Sequence, residues 1–271
     1  MFKPLVSFII PYFNSGSTII ETIDSILAQD YDNYEIIIVN DGSNDPLSVE
    51  KLEQLKTNTG IFIIEQDNYG PSTARNNGIK HSTGEFIVFL DADDIIVAGG
   101  LKKLIDLYYS FHDNKVGAVY SNCAYFGEKT GIKNQLQFDI TQMFVFNPIA
   151  LCCLLKRDAV INSGMFDEAL NKKGLEDWDL LLSIYKHGWS LKKTEDVLFK
   201  IRVHNQSRTY QVANNNLDEC IKYIYNKHHD LVYTTFKNNY YYAKQLESSI
   251  DRKIGAMFLF PYRLIKKLVK K

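Results

Sequence analysis

The chain has 271 residues, of which 45% are hydrophobic and 23% charged, and its formal net charge is −1. These values are ordinary for a folded globular protein and exclude both a mini-protein and an intrinsically disordered chain. The length suits one large α/β domain, or one domain with a smaller appendage.

The near-neutral total hides an uneven distribution of charge. Residues 251–271 carry seven bases and one acid, a net charge of +6, which leaves −7 for residues 1–250. From Pro261 onward, apolar residues recur at helical spacing with bases on the other side, which predicts a basic amphipathic helix. Two interpretations stay open: peripheral membrane contact through residues 252–271, or packing of the helix on the protein's own body.

The cysteines and the N-terminus indicate a cytoplasmic protein. Cys123, Cys152, Cys153 and Cys220 show no metal-ligand spacing, and the adjacent pair lies in an apolar run. The apolar run before Pro11 is too short for a signal peptide, and no stretch approaches the length of a membrane span. We therefore expect a cytoplasmic chain, attached peripherally to the inner face of the plasma membrane if its tail binds there. No nucleic-acid partner is expected.

The first half of the chain alternates strand-like and helix-like segments, which is typical of a mainly parallel sheet with helices on its faces. Strands are predicted at 5–10, 35–39, 61–65, 86–90 and 116–122. Helices are predicted at 18–28, 47–55, 72–80 and 98–111.

The second half is less regular. A hairpin or a mobile loop is predicted for residues 124–143, because glycines interrupt a weak apolar pattern there. Further elements are predicted as strands at 150–155 and 197–203, a helix at 177–185 and helical structure over 214–250. We therefore predict two domains, an α/β domain over 1–212 and a helical extension over 213–271.

An acidic cluster follows the central predicted strand. Five apolar residues at 86–90 lead directly into Asp91, Asp93 and Asp94. Ligands bind at the carboxyl ends of strands in open α/β sheets, so these acids are candidates to hold a cation and its phosphates. The alternative is that they cap a helix starting near Ala98.

Polar residues also follow the first two strands. Tyr12 and Asn14 follow the first, and Asp41 follows the second. An aromatic ring and an acid at one sheet edge suit a nucleobase, whereas Asp41-Gly42 alone is also an ordinary turn. Gly70 precedes a helix that carries Arg75 one turn in, an arrangement that can approach phosphate but is also ordinary helix-start chemistry. Neither common glycine-rich nucleotide motif is present.

Two later clusters carry further candidates. Glu176, Asp177 and Trp178 place acids beside an aromatic ring before an apolar helix, which suits a sugar-processing site or simply a charged helix start. His204 follows the predicted strand at 197–203, close to Arg202, and could reach a metal or a phosphate.

Taken together, these motifs resemble the family 2 glycosyltransferases of the GT-A fold. The order and spacing agree over roughly residues 4–210. The segments that carry the resemblance are VSFIIPYFN (6–14), VNDGS (39–43), ARNNG (74–78), GEFIVFLDADD (84–94), EDW (176–178) and RVHNQS (202–207).

The resemblance implies a Rossmann-like α/β fold and an inverting transferase that uses a UDP-sugar and a divalent cation, Mn²⁺ or Mg²⁺. The implied nucleotide-binding residues are Pro11, Tyr12, Asn14, Asp41, Arg75 and Asp91, the implied metal ligands are Asp93 and His204, and Glu176 and Trp178 would lie near the sugar or acceptor. Asp177 would be the catalytic base. The implied acceptor is a glycan or lipid-linked hydroxyl in surface polysaccharide assembly, such as lipopolysaccharide, capsule or exopolysaccharide.

Two other functions remain possible on the residues alone. A sugar nucleotidyltransferase would need a basic, glycine-rich loop after the first strand, where this chain has Tyr12-Phe13-Asn14. A nucleotide-sugar-binding scaffold would not need Asp177. The motifs favour the transferase over both.

Overall fold

A nine-stranded sheet forms the centre of the computed structural model, which describes residues 3–204 and 217–248. The strands are β1 (Val6–Tyr12), β2 (Tyr34–Asp41), β3 (Ile61–Gln66), β4 (Phe86–Phe89), β5 (Ile95–Ile96), β6 (Val116–Gly127), β7 (Gly131–Lys133), β8 (Cys153–Lys156) and β9 (Ser190–Val203). Their order is β3-β2-β1-β4-β8-β6-β9-β5, with β7 paired to β6.

The described residues also form nine α-helices, the last two of them at the C-terminal end of the described chain. They are α1 (Ile19–Leu27), α2 (Pro46–Leu55), α3 (Pro71–His81), α4 (Gly100–Ser110), α5 (Ile140–Met143), α6 (Arg157–Asn162), α7 (Glu176–Lys186), α8 (Leu217–Lys227) and α9 (His229–Ser248), with a 3₁₀ turn at Glu168–Leu170. The predicted α/β fold with a helical C-terminus is thus confirmed.

The sheet is mixed rather than mainly parallel. Strands β3, β2, β1 and β4 run parallel, as predicted, but β8 is antiparallel to both of its neighbours, β4 and β6. Tyr12 pairs with Asn40 and Ile9 with Phe89, so the carboxyl ends of β1, β2 and β4 reach the same edge. This register brings the polar residues that follow the three strands together.

The parallel strands are held by apolar contacts on both faces. Every residue of β4 is buried, and Phe8 and Ile10 of β1 pack with Ile23 of α1 in the main core. Burying each such side chain contributes roughly 1.5–3 kcal/mol. Helix α3 packs closely on β1 at Gly78, where a Cβ would lie 2.3 Å from the Ile9 Cγ2 atom. The residues that follow these strands are therefore held in place by a closely packed core.

Two predicted segments differ in extent. Residues 124–143 form a hairpin, in which the end of β6 pairs with β7, followed by the short helix α5. Strand β9 begins at Ser190 rather than at 197 because its first half pairs with β6 despite a polar sequence. Helix α6 and the 3₁₀ turn are additional short elements.

The chain divides into two compact units, Met1–Asn226 and Lys227–Lys271. In the first unit, α8 buries Cys220 and Ile224, and the Tyr223 hydroxyl donates to Asp167 at 2.8 Å. The predicted domain boundary at 212/213 stays a prediction.

The structure covers only part of the sequence-based expectations about membrane contact and cysteines. The predicted amphipathic helix from Pro261 lies outside the described residues. Within 3–204 and 217–248, no helix has the length and apolar character needed to cross a membrane. All four cysteines are free and buried.

Candidate active site

A cavity of about 640 Å³ lies beside the acidic end of β4. It is lined by residues from three regions of the chain that the sequence singled out: Arg75 from α3, Asp91 after β4, and Glu176 and Asp177 from α7. The structure thus brings together residues that are up to 102 positions apart, from Arg75 to Asp177.

Arg75 connects the two acidic sides of the cavity. Its guanidinium lies 2.8 Å from Asp91 Oδ1 and 2.9 Å from Glu176 Oε1, and it covers the Phe166 ring at 5.4 Å. The residue is only 5% exposed. Burial alone would lower the pKa of Arg75, but Asp91 and Glu176 outweigh it and raise that pKa, so the side chain stays charged.

The N-terminus of α3 is shaped to place Arg75 there. Gly70 adopts φ 105°, a conformation that favours glycine, and Pro71 follows it at the first helical position. No side chain of the helix caps its start; instead the Oδ1 of Asn171 accepts from the Ser72 backbone N–H at 2.8 Å. The loop before α7 therefore fixes the start of α3.

Asp177 is the second acid at the start of α7. Its Oδ2 accepts from the Asn147 side-chain amide at 3.0 Å and its Oδ1 from the Trp178 backbone N–H at 2.8 Å. Burial, followed by the nearby charge of Glu176, raises the pKa of Asp177 to about 6, while the Trp178 N–H and the charges of Arg75 and Lys133 act in the opposite direction. A carboxylate with such a pKa is ionised at neutral pH and is a better proton acceptor than an ordinary aspartate.

Two of the predicted site residues, Tyr12 and Trp178, are buried aromatic side chains, and their contacts with a nucleotide or a sugar stay predictions. Tyr12 is fully buried and its hydroxyl donates to the Ser48 carbonyl at 2.9 Å, while Trp178 is 3% exposed with its indole N–H on the Met143 carbonyl at 2.6 Å. Neither ring face is exposed for stacking on a base or a sugar. At the β1 exit, the exposed ring is that of Phe13, at 45%.

The remaining nucleotide candidates lie at the exits of β1 and β2. Pro11 is partly exposed in β1. Asn14 has φ 51° and its Oδ1 accepts from the Asn44 backbone N–H at 2.9 Å, which ties the two exits together. Asp41 is buried and accepts from the backbone N–H groups of Tyr69 and Gly70 at 2.8 and 2.9 Å. Their predicted contacts with a nucleotide stay predictions.

The predicted metal ligands adjoin a second cavity of about 500 Å³. His204 Nε2 lies 3.1 Å from Asp93 Oδ2. Burial and the charge of Asp91 raise the pKa of Asp93, and His204 opposes that shift. Arg202 extends along the same wall, where its Nε donates to the Asp93 carbonyl at 3.2 Å. Among residues 3–204 and 217–248, no group of three potential metal ligands is present.

Asp94 is not a helix cap. Its Oδ1 accepts from the Arg202 backbone N–H at 2.9 Å and its Oδ2 from the Cys152 thiol at 3.5 Å, and the residue is buried. Helix α4 instead begins after Gly99, without a side-chain cap. The hydrogen bond from the Arg202 N–H to Asp94 therefore holds the end of β9, and with it His204, next to residues 91–94.

Two cavity residues had no signal in the sequence. Asn147 contacts Asp177 from the loop after α5, and Lys133 reaches the cavity from β7. Asn147 lies in a loop and Lys133 at the end of a three-residue strand. Neither segment has a hydrophobic periodicity, so the sequence did not distinguish these residues from other polar residues.

Comparison with known proteins gives a consistent picture. The family described as glycosyl transferase family 2 matches residues 7–166. An uncharacterised glycosyltransferase of Rickettsia typhi is 33% identical over 231 residues, which cover 80% of this chain and 70% of that protein. The poly-β-1,6-N-acetyl-D-glucosamine synthase of Staphylococcus aureus is 36% identical over 118 residues, or 43% of this chain and 28% of the synthase.

Two solved structures share the fold. S. aureus TarS 1–349 in complex with UDP-GlcNAc matches with a TM-score of 0.63 at 19% identity, over 77% of this chain and 61% of that one. The mannosyltransferase PcManGT of Pyrobaculum calidifontis, in complex with GDP-Man and Mn²⁺, matches with a TM-score of 0.58 at 22% identity, over 78% and 60%. The chain spans only 37% of the length of two other Rickettsia relatives.

Proposed function

Because the chain belongs to glycosyl transferase family 2, we propose that it moves a sugar from a UDP-sugar to a hydroxyl group of a glycan or lipid-linked acceptor, with inversion at the anomeric carbon. The complex of TarS with UDP-GlcNAc supports a UDP-sugar, whereas that of PcManGT with GDP-Man is the alternative donor class. The synthase of poly-N-acetylglucosamine among the relatives supports a role in surface polysaccharide assembly.

The observation that carries the proposal is Asp177. It borders the 640 Å³ cavity, its Oδ2 is held by Asn147, and its pKa is raised to about 6. A single carboxylate of this kind suits one-step displacement, in which a base removes the acceptor proton as the hydroxyl attacks. Glu176 forms an ion pair with Arg75, so we assign the role of base to Asp177 rather than to Glu176.

In the proposed step, the acceptor oxygen forms a bond to the anomeric carbon while the bond from that carbon to the diphosphate oxygen breaks. The acceptor proton passes to an Asp177 carboxylate oxygen, and the nucleoside diphosphate leaves with the electron pair. Attack opposite the leaving group inverts the anomeric carbon. Arg75 provides fixed positive charge at Asp91, where the predicted nucleotide contacts lie.

Asp93 and His204 suit a divalent cation by their chemistry. A carboxylate oxygen and an imidazole nitrogen are both ligands of Mn²⁺, and they lie 3.1 Å apart at the edge of the second cavity. Two protein ligands are enough for a cation that is otherwise held by substrate phosphates and water. When bound, such a cation stabilises the negative charge of the diphosphate.

The acceptor would be reached from the cytoplasm. The basic residues of 252–271 support peripheral membrane contact, which would bring a lipid-linked acceptor to the cavity. The cytoplasmic location and the membrane contact rest on the sequence alone.

Calorimetric titration of UDP, with Mn²⁺ and with chelator, tests the donor site. We expect metal-dependent binding that Asp93→Ala removes, followed by hydrolysis of the matching UDP-sugar. Asp177→Asn should keep UDP binding and lose transfer, whereas the exposed control Asp30→Asn should keep both. Transfer by Asp177→Asn at the wild-type rate would show that another group is the base, and absence of UDP binding would overturn the donor assignment.

A further inference from the structure

Three lysines line the 640 Å³ cavity together with its acids: Lys129, Lys133 and Lys173. Two of them already have partners. Lys129 lies over the Tyr125 ring at 4.7 Å, and Lys173 lies 3.6 Å from Glu219. Lys133 is partly buried and, within residues 3–204 and 217–248, no carboxylate lies within 4.0 Å of its Nζ.

Three of the four cavity acids have other partners, and the fourth, Asp177, is the one whose pKa the charge of Lys133 lowers. Asp91 and Glu176 are paired with Arg75, and Asp94 accepts from the Arg202 backbone and from Cys152. Lys133 is therefore a cationic side chain of the cavity that forms no direct ion pair with a carboxylate of the described residues. An anionic group of a ligand in the cavity could make a charge-assisted contact with it.

Lys133 lies on the Asp177 side of the site. The charge of Lys133 acts on the pKa of Asp177, whereas the charged groups that act on Asp93 are Asp91 and His204. None of the three lysines lines the second cavity, where Asp93 and His204 would hold the donor diphosphate. Lys133 thus lines the same cavity as the proposed base, where the acceptor hydroxyl would bind.

We infer that Lys133 binds an anionic group, a phosphate or a carboxylate, that the acceptor carries next to the hydroxyl deprotonated by Asp177. This inference rests on the proposed function and specifies the acceptor class. The anion could belong to the glycan itself, or be a phosphate that joins a sugar to a lipid. Exposed apolar side chains on the same rim, Val145 at 73% and Phe146 at 46%, offer a surface for the chain of a lipid-linked acceptor.

Lysine footprinting tests the binding directly, without turnover. Acetylation of Lys133 is followed by mass spectrometry in the UDP-loaded protein, with N-acetylglucosamine 1-phosphate, glucuronic acid or methyl N-acetylglucosaminide as the probe. We expect the two anionic probes to slow acetylation of Lys133 several-fold and the neutral glycoside to leave it unchanged. The exposed Lys80 is the internal control. Equal protection by charged and neutral probes, or none by any of them, would overturn the inference.

Transfer kinetics with anionic and neutral acceptors test whether the group that binds Lys133 belongs to the acceptor rather than to the donor. With the UDP-sugar that the wild type hydrolyses fastest, the anionic acceptor should exceed its neutral counterpart about tenfold in kcat/KM, which corresponds to one charge-assisted contact. Lys133→Met should remove this preference, Lys133→Arg should retain it, and Lys80→Met should behave as the wild type. Dodecyl and methyl versions of the same sugar phosphate then distinguish a lipid-linked acceptor from an anionic glycan.

Two results separate the possible failures. If Lys133→Met weakens UDP binding by the factor lost in transfer, Lys133 binds the donor diphosphate and the inference is wrong. If the wild type neither binds UDP nor hydrolyses any UDP-sugar, the proposed function fails and the inference fails with it. UDP-sugar hydrolysis without a preference for anionic acceptors would overturn the inference alone.

Discussion

Replacing the catalytic candidate should make the protein more stable at neutral pH. The pKa of Asp177 is raised from 3.8 to about 6 in the folded state, so the ionised form is disfavoured by folding. At about 1.4 kcal/mol for each pKa unit, the ionised carboxylate costs at most about 3 kcal/mol above pH 6. Asp177→Asn removes this cost. It also replaces one carboxylate oxygen, a hydrogen-bond acceptor, by an amide N–H donor, and the lost hydrogen bond lowers the gain by about 1 kcal/mol. The expected net gain at pH 8 is about 2 kcal/mol.

The sign of the pH dependence is fixed by the direction of the shift. A raised carboxyl pKa penalises the folded state fully above pH 6 and not at all once both states are protonated below the unfolded pKa. Urea denaturation of the wild type and Asp177→Asn at pH 8 and pH 4.5 should therefore show a gain that shrinks by about 2 kcal/mol at the lower pH. Asp30→Asn should show no comparable change. A gain that is independent of pH, or larger at pH 4.5, would refute the raised pKa.

Three further predictions follow from the same contacts. Below pH 6, kcat/KM should fall about tenfold for each pH unit as Asp177 is protonated, and a flat profile of kcat/KM for transfer from pH 7 to pH 5 would contradict its role as base. Arg75→Met should lower the free energy of unfolding by about 3–5 kcal/mol, because it leaves Glu176 buried without its cation; a loss below 1 kcal/mol in urea denaturation would show that the pair is solvated. Asn171→Ala should cost about 1–2 kcal/mol, because the Ser72 N–H at the start of α3 loses its acceptor. An unchanged urea midpoint for Asn171→Ala would mean that water replaces the cap.

The sequence predicted the sheet edge well because simple patterns determine it. Continuous apolar runs mark β1, β2 and β4, and polar residues begin where each strand leaves the core. The parallel register then places those residues together without further information. The proximity of Arg75, Asp91 and Glu176 follows from the motifs only through the family resemblance, since local patterns do not relate residues a hundred positions apart.

What the sequence could not resolve were differences among similar residues. Asp91, Asp93 and Asp94 look alike in sequence, yet Asp94 is buried against the Arg202 backbone because β9 passes beside it. Local composition placed Tyr12 and Trp178 among the candidate site residues but did not indicate that both are buried, with the Tyr12 hydroxyl and the Trp178 indole N–H each donating to a backbone carbonyl. Such choices depend on tertiary packing, which no local pattern contains.

The polar contacts between α3 and the segment before α7 have an implication for how the protein could change its specificity. Asn171 caps the start of α3, Asn76 exchanges two hydrogen bonds of 2.9 Å with the Phe166 backbone, and Arg75 joins Glu176. Insertions or substitutions in this segment would therefore disturb both Arg75 and Asp177, the proposed nucleotide-binding arginine and the proposed base. The hairpin that carries Lys133 has no such ties to α3 among the described residues. We therefore expect related proteins to change their acceptor specificity through substitutions in the hairpin. The segment before α7, which is bonded to α3, should vary less.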